Sequence, residues 1–329
     1  MKKFSFILLF CATLAEAFIV SVGGFDIQKY PSLYTFNDTK PLKVTVPITD
    51  LLQKESKNVN GVTMWITRTW QEDWYSAKAV EKNIIKKGYT PIFIFYYFAD
   101  DISIKFIKKT KKAYFKQLKK FIKYLHKIDG QKIVILNPEY NMRDVSKWRG
   151  MNQIFLKSFK MLRSDPQVMV GPCVGDFGNY NRTNEPKEWS FFDPSLSEAA
   201  KAADFIAFQE MRALTRNKKT QILKTPQRAY YFSKYLHKKY KKPTMLAYLA
   251  VSSYGKGGKE MQANVYKGFV KYLPKMQKEA QLLLFGTFHY FDYPKHVGYF
   301  QKAEEFFGIL SKDGMKKPSF YYFNKIKSN

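Results

Sequence analysis

The amino-acid sequence predicts an α/β protein built as a (β/α)8 TIM barrel, and three observations support this fold class. Short segments that are apolar on both faces recur along the chain, and a helical segment follows each of them. Strands of this kind form a parallel sheet that helices cover. Seven such units in 329 residues, with no low-complexity linker between them, favour a closed barrel. An open doubly wound sheet is the alternative, but no glycine-rich phosphate loop follows an early strand.

The strand and helix units follow one another in order. The seven strand segments are 61–70, 90–101, 132–141, 167–178, 204–213, 243–255 and 281–294. The helical segments that follow them are 75–88, 103–130, 147–164, 195–203, 225–240, 259–276 and 298–311. One more strand is required near the start, where IVSVGGFD (19–26) and LKVTVPI (42–48) both qualify. Residues 18–329 are therefore expected to form one barrel domain.

The first 17 residues, MKKFSFILLFCATLAEA, have the features of a secretory signal peptide. Two lysines precede an apolar run, and the segment ends in Ala15-Glu16-Ala17, a small-x-small cleavage site. A membrane anchor is the alternative, but Glu16 interrupts a run that is already short for a span. We expect residues 1–17 to be removed, leaving a secreted or extracytoplasmic protein without stable membrane insertion. Cys173 is then the only cysteine, so no disulfide can form within the mature chain.

The chain is strongly basic, with a formal net charge of +29. A nucleic-acid partner is not expected, because the signal peptide indicates export. Much of the excess charge lies in segment 103–130, where lysines surround one apolar stripe of an amphipathic helix. The stripe consists of Tyr114, Leu118, Phe121, Ile122 and Leu125. A solvated outer face is the simpler interpretation of these lysines, and binding to an anionic polysaccharide or surface is the alternative.

Polar and aromatic side chains collect at the C-terminal ends of the predicted strands. These ends meet at one rim of a barrel, where barrel enzymes build their active sites. Carboxylates, amides and aromatic rings together are typical of carbohydrate recognition, since hydroxyls need polar partners and sugar C–H faces stack on rings. The predicted substrate-binding residues are Arg68, Trp70, Tyr97, Asn137, Asp176, Gln209, Tyr248, His289 and Tyr290. No cofactor and no metal ligands are expected, because no metal-ligand spacing such as His-Glu-x-x-His occurs.

Two short motifs resemble clan A glycoside hydrolases, which are (β/α)8 barrels. Asn137-Pro138-Glu139 ends the fourth predicted strand and resembles the Asn-Glu of the clan's acid/base site. Segment 306–326, FFGILSKDGMKKPSFYYFNKI, is similar to the closing segment of many barrel glycosidases. Arg68 on the second strand stands at the place of a clan arginine that orients the nucleophile. The resemblance implies a glycosidase that acts on a polysaccharide or oligosaccharide.

The seventh strand departs from the clan. Clan members end this strand in a nucleophilic glutamate, whereas KPTMLAYLAVSS places Tyr248 there. Glu210 is the best candidate for a relocated partner, because FIAFQEM is another apolar strand that ends in a carboxylate. Glycoside cleavage requires one protonated carboxyl and one ionised carboxylate. We therefore predict Glu139 as general acid and Glu210 as base or nucleophile, with a catalytically inactive carbohydrate-binding barrel as the alternative.

Export and the positive charge favour an anionic or at least extended polysaccharide. Lysines on outer helices are screened beyond about 10 Å, so only basic residues at the rim would contribute. The candidates are Arg68, Arg143, Arg212 and Lys256.

Overall fold

Eight parallel strands close into a barrel in a computed structural model that describes residues 18–23, 32–37, 40–177, 187–294, 296 and 298–327. Consecutive barrel strands pair with each other, and the first pairs with both the second and the last. The strands are β1 Ile19–Val22, β2 Gly61–Thr67, β3 Thr90–Tyr96, β4 Lys132–Leu136, β5 Val168–Gly175, β6 Ile206–Arg212, β7 Thr244–Val251 and β8 Leu282–Thr287. The predicted (β/α)8 fold class is confirmed.

The segments between the strands are mostly helical. The helices are α1 Ile48–Glu55, α2 Ala77–Asn83, α3 Ile104–Leu125, α4 Gly150–Leu162, α5 Asp193–Ala202, α6 Lys219–Leu223, α7 Thr225–Tyr240, α8 Gly258–Ala280 and α9 Pro318–Phe323. None of the helices among the described residues combines the length and the apolar character needed to cross a bilayer.

The N-terminal region resolves the choice between two strand candidates. IVSVGGFD contributes β1, in which Ile19 pairs with Leu284 of β8 and Ser21 pairs with Gly61 of β2. LKVTVPI lies in an antiparallel hairpin outside the barrel, formed by Ser32–Asn37 and Lys40–Pro47. The predicted signal peptide, residues 1–17, lies outside the described residues.

One predicted helix is wrong. Segment 298–311 contains only a short 3-10 helix, Gln301–Phe306. Its carbonyl groups bind the end of β7 instead of continuing a helix: Ser252 Oγ donates to the oxygen of Ala303 at 2.6 Å, and the Ser253 nitrogen donates to that of Phe306 at 3.0 Å. The segment therefore covers the C-terminal end of the barrel.

Strand residues alternate between two apolar layers. Inward residues such as Ile94, Ile135 and Met245 form a cluster made of strand and strand-end residues, which fills the barrel. Outward residues such as Phe95 and Phe208 pack against the helices in a larger cluster. Because successive side chains of a strand point to opposite faces, the position of a residue along a strand decides which layer it joins.

The lysine-rich helix α3 has the predicted amphipathic form. Its N-cap is Ser103, whose hydroxyl accepts a hydrogen bond from the Phe106 nitrogen at 3.2 Å. All five residues of the predicted stripe are buried against the barrel. Burying each large apolar side chain stabilises the fold by about 1.5–3 kcal/mol, so this face anchors the helix.

Candidate active site in the barrel mouth

Glu139 stands at the C-terminal end of β4 on a left-handed turn. The φ angles of Asn137 and Glu139 are +48° and +61°, a conformation that residues other than glycine adopt infrequently and that is found at functional sites. The turn leaves the Glu139 side chain half-buried. Tyr248 Oη donates a hydrogen bond to Glu139 Oε1 at 3.2 Å, which joins the ends of β4 and β7.

The environment of Glu139 favours its protonated form. Burial, together with the negative charges of Asp100 and Glu304, raises the pKa of Glu139 to about 7, and the Tyr248 hydrogen bond opposes part of this shift. A carboxyl with this pKa is substantially protonated near neutral pH and can still lose its proton. Glu139 can therefore act as a general acid at physiological pH.

A β-bulge turns Tyr248 toward the barrel interior. Phe208 of β6 pairs with Leu246, but the next residue, Gln209, pairs with Tyr248, so Ala247 is an extra residue in β7. Ala247 and Tyr248 then both belong to the inner cluster. The bulge also needs Gly286 on β8, where an added Cβ would lie 2.0 Å from the Ala247 oxygen. Bulges often re-aim side chains beside active sites in this way.

Four aromatic rings around Glu139, which we call the aromatic wall, line the mouth. The Trp65 ring centroid lies 5.5 Å from Tyr96, 5.3 Å from Tyr248 and 5.5 Å from Phe288. Trp65, Tyr96 and Phe288 are only partly buried, so they present ring surface toward the opening. A wall of this kind is suited to stacking on the apolar face of a sugar ring.

Gln209 is the predicted residue on β6 that faces the mouth. It is buried, and its neighbour in the inward series, Ala207, belongs to the inner cluster. Its Oε1 has no hydrogen-bond partner among the described residues. Buried polar atoms are normally paired, so an orphan at a barrel mouth is a suitable partner for a ligand hydroxyl.

The loop after β8 adds two histidines and a carboxylate. The His289 ring stacks on Phe288 with centroids 4.2 Å apart, and His296 lies 5.7 Å from Phe288. His296 Nε2 is 3.6 Å from Glu304 Oε2, and Glu304 Oε1 accepts a hydrogen bond from the Phe300 nitrogen at 2.8 Å. Burial lowers the pKa of both histidines, which keeps the rings neutral at pH 7.

Glu210 and Asp176 lie on the opposite side of the strands from Glu139. Both are fully or almost fully buried and belong, with Arg212 and Arg228, to what we call the outer ion cluster. Arg212 Nη2 is 2.6 Å from Glu210 Oε2 and 3.6 Å from Asp176 Oδ2. Arg228 Nη2 donates to Asp176 Oδ1 at 2.5 Å. The residues Ile206 and Phe208, which share the face of Glu210, pack in the outer layer.

Four further predicted residues also lie on the helix side of the strands, away from the barrel interior. Trp70 packs against Phe121 and Tyr124 of α3, and Tyr97 packs against Tyr114 of the same helix. Asn137 Nδ2 donates to Tyr114 Oη at 3.2 Å. Tyr290 Oη shares a hydrogen bond of 2.9 Å with Ser56 Oγ. Their placement differs from the prediction because a shift of one residue along a strand moves a side chain to the other face.

Arg68 is exposed at the rim. Its Nη2 donates to Asp101 Oδ2 at 2.7 Å, and its guanidinium lies 4.9 Å from the ring centroid of Phe106.

The structure thus brings Glu139, Gln209, Tyr248 and His289 to or beside the mouth. Arg68 lies at the outer rim, paired with Asp101, and the structure places the other six predicted residues on the helix side of the strands: Trp70, Tyr97, Asn137, Asp176, Glu210 and Tyr290. Tyr96, Phe288, His296 and Glu304 were not predicted, and inward alternation along β3 could have indicated Tyr96.

The closing segment that resembles barrel glycosidases has a structural role. Lys317 Nζ is buried and donates to Asp292 Oδ1 at 2.5 Å, to Ser253 Oγ at 2.8 Å and to the Gly308 oxygen at 2.8 Å. It therefore ties the loops after β7 and β8 together beneath the mouth. No group of three or more His, Cys, Asp or Glu residues suited to a metal ion occurs in the described part of the chain.

Comparisons with known proteins identify structural relatives but no sequence family. No protein-family model and no curated protein matches the chain. A β-D-glucuronidase from Dictyoglomus thermophilum is similar in structure, with a TM-score of 0.59 and 12% identity over 94% of this chain and 50% of that one. A β-galacturonidase of family GH2 from Eisenbergiella tayi, bound to galacturonate, has a TM-score of 0.60 and 8% identity over 94% of this chain and 50% of that one.

A protein of glycoside hydrolase family GH5_18 from Bifidobacterium longum is also similar. It was solved with the disaccharide Manβ1-4GlcNAc, and it has a TM-score of 0.54 and 11% identity over 84% of this chain and 71% of that one. The chain spans about half the length of the glucuronidase and the galacturonidase. At these identities the comparisons show that the chain shares the (β/α)8 barrel fold of glycoside hydrolases.

Proposed function

We propose that the protein is a glycoside hydrolase that binds a carbohydrate in the barrel mouth and uses Glu139 as general acid. The observation that carries the proposal is the half-buried Glu139 carboxyl, whose pKa burial raises to about 7, at the C-terminal end of β4 beside the aromatic wall. The rings supply a stacking surface for a sugar, and the carboxyl supplies the proton that the leaving oxygen requires.

Glu210, the predicted partner of Glu139, does not face the barrel mouth. Glu210 would act as base or nucleophile only if its 2.6 Å contact with Arg212 broke and the side chain crossed to the inner face of β6. Gln209 holds the inward position instead. The proposal therefore rests on Glu139, and the Glu210→Gln variant tests whether Glu210 takes part.

An extended and predominantly neutral polysaccharide is the substrate that the mouth supports best. Phe191, Tyr254 and Tyr299, on loops after three strands, are exposed aromatic residues on which further sugars could stack. Of the basic residues expected at the rim, Arg68 is paired with Asp101, Arg212 is buried in the outer ion cluster, and Lys256 is exposed on the loop after β7. The Arg143 side chain lies outside the described part of the chain. An anionic polymer would also meet the carboxylates around Glu139.

An inactive carbohydrate-binding barrel is the second candidate function, and one observation favours it. Tyr248 stands in β7 at the sequence position that matches the nucleophilic glutamate of clan A enzymes. Tyr248 also donates its hydrogen bond to Glu139, a contact that binding alone would tolerate. Both candidates predict sugar binding, so only turnover distinguishes them.

The experiment is a comparison of wild type, Glu139→Gln and the exposed control Glu72→Gln on a panel of neutral and anionic polysaccharides. Reducing ends and binding are measured together. We expect hydrolysis by wild type and Glu72→Gln, and a rate about 10²–10⁴-fold lower for Glu139→Gln with binding retained. Binding without hydrolysis by the wild type would establish the binding barrel, and full activity of Glu139→Gln would exclude Glu139 as the acid.

We also propose that the protein is exported and cleaved after Ala17, as the N-terminal sequence predicts. Mass spectrometry of the protein from the culture medium should give a mature chain that begins at Phe18. An intact Met1 on a membrane-retained protein would show that the segment is an anchor.

A further inference from the structure

A general acid works with a second group, which either attacks the anomeric carbon or activates a water molecule. The described end of β7 offers no carboxylate for this role. The carboxylates that act electrostatically on Glu139 are Asp100 and Glu304. Asp100 is exposed, whereas Glu304 is buried and faces an imidazole. We propose that His296, which faces Glu304, is the general base that activates the attacking water. This inference rests on the proposed glycoside hydrolase function.

The two nitrogens of His296 have different surroundings. Nε2 faces Glu304 Oε2 at 3.6 Å, whereas Nδ1 is buried and has no hydrogen-bond partner among the described residues. A carboxylate beside one nitrogen favours the tautomer that carries the proton there. The lone pair of Nδ1 is then left without a donor among the described residues, and it can take a proton from a water that substrate binding brings to it. A base with a second group that orients it is the arrangement that general-base catalysis uses.

Glu304 is fixed in place by the backbone around it. Its Oε1 accepts the hydrogen bond from the Phe300 nitrogen, and the side chain is 6% exposed. Gly298 lies against the carboxylate so closely that an added Cβ would be 2.6 Å from Oε2. At position 298, a residue larger than glycine would displace the Glu304 carboxylate from its place beside His296.

His296 lies on the same mouth as the acid. Its ring is 5.7 Å from Phe288, which is 5.2 Å from Tyr248, whose hydroxyl binds Glu139. The titratable groups around His296 are Asp100, which acts on it electrostatically, Glu304, and the rings of His289 and Tyr293 at 5.0 and 5.9 Å. Two rings of the aromatic wall, Phe288 and Tyr248, thus connect the base to the acid, and a sugar that stacks on the wall would lie beside both.

The reaction is a single displacement. The water oxygen forms a bond to the anomeric carbon while the bond between that carbon and the leaving oxygen breaks. The water proton passes to His296 Nδ1, and the carboxyl proton of Glu139 passes to the leaving oxygen. Glu304 stabilises the imidazolium until His296 returns its proton to solvent and Glu139 is reprotonated. Attack from the face opposite the leaving group inverts the anomeric configuration.

The pH dependence follows from the two groups. The reaction needs neutral His296, whose pKa burial lowers below 6.5, and protonated Glu139, whose pKa is about 7. We expect kcat/KM to fall on the acidic side as His296 is protonated and on the alkaline side as Glu139 ionises. A variant without His296 should lose the acidic limb and keep the alkaline one.

The test uses the full mature chain and a polysaccharide that the wild type cleaves. We expect His296→Gly to lower kcat by about 10²–10⁴-fold and added imidazole to restore part of the rate, because free imidazole can replace the missing base. The matched control is His126→Gly, since His126 contacts Ser164 on the outer surface and should keep full activity. The first product released by the wild type, followed by NMR, should have inverted configuration.

Glu304→Gln serves as a second variant if His296→Gly does not fold. It should lower kcat with little change in KM and shift the acidic limb to lower pH, because the imidazolium loses its carboxylate. A retained anomeric configuration, or full activity in His296→Gly while Glu139→Gln is inactive, would overturn the inference and leave the proposed function intact. A wild type that binds but cleaves no polysaccharide would overturn both.

Discussion

Two groups of carboxylates lie at the C-terminal ends of the barrel strands, and their charges are compensated differently. In the outer ion cluster, Asp176 and Glu210 are matched by Arg212 and Arg228 within hydrogen-bond or ion-pair distance. In the mouth, Glu139 receives one hydrogen bond from the neutral Tyr248 hydroxyl and is subject to the negative charges of Asp100 and Glu304. Burial raises the pKa of Glu210 as well, but the charges of Arg212 and Arg228 oppose that shift, whereas no cation opposes the shift at Glu139. A paired cluster holds elements together, and an acid without a cation can serve catalysis.

This difference also indicates which of the two groups lowers the stability of the folded state. A buried charge without a partner destabilises the folded state, and proteins retain one mainly where function requires it. The outer ion cluster joins β5 and β6 to α7 and supports the strands that carry the mouth. We therefore expect substitutions in the outer ion cluster to lower stability and substitutions in the mouth to lower activity.

The largest effect is expected for Arg228→Met in the outer ion cluster. Removing one guanidinium leaves two buried carboxylates with only Arg212, and breaking a buried pair of this kind costs about 3–5 kcal/mol. Urea unfolding followed by circular dichroism measures the change. Lys239→Met is the matched control, because the Lys239 pair with Asp193 is partly exposed and should cost less than about 1 kcal/mol. Equal stability of the two variants would contradict the distinction between the clusters.

The second prediction concerns the pH dependence of stability. The raised pKa of Glu139 means that between pH 4.5 and about 7 the folded state binds more protons than the unfolded state, so the free energy of unfolding falls as pH rises through this window. The loss is about 3 kcal/mol at most, since a tenfold change in a proton-binding constant corresponds to about 1.4 kcal/mol. Glu139→Gln should remove this component. Urea midpoints of both proteins at pH 5 and 8 test it, and parallel pH profiles would show that Glu139 is not perturbed.

The third prediction separates the structural and catalytic roles of Glu210. Glu210→Gln leaves Arg212 with a weaker partner and should cost about 2 kcal/mol, in the range of hydrogen bonds to charged groups. Hydrolysis by the folded variant should remain within a few-fold of wild type. Loss of activity without loss of stability would instead support the role of base or nucleophile that the sequence predicts.

The smallest effect is expected for Arg68→Ala at the rim. Its ion pair with Asp101 is exposed on both sides, with side-chain exposures of 37% and 60%, and such pairs contribute less than about 1 kcal/mol. Binding of a neutral polysaccharide should be unchanged. Weaker binding of an anionic polysaccharide that is restored by lowering the salt concentration would show that Arg68 contacts the substrate.

The fold was accessible from the sequence because its determinants are local. Each barrel strand is an apolar run, and each major helix has an apolar face that recurs with helical spacing. The position of Glu139 followed from the same logic, since the first carboxylate after a buried strand emerges at the rim. The helix expected over 298–311 failed because Ser252 and Ser253 bind its carbonyl groups, a contact between distant segments that its own residues do not reveal.

What the sequence by itself determined is the barrel, the order of strands β2 to β8 and the presence of a carboxylate at the end of β4, because all three depend on hydrophobic patterns within single segments. Only the tertiary structure decided which strand-end residues share the mouth. Strand side chains alternate faces, so Gln209 points in where Glu210 points out, and Tyr96 points in where Tyr97 points out. The Ala247 bulge then turns Tyr248 inward toward Glu139, because the register of β7 against β6 shifts by one residue at that point.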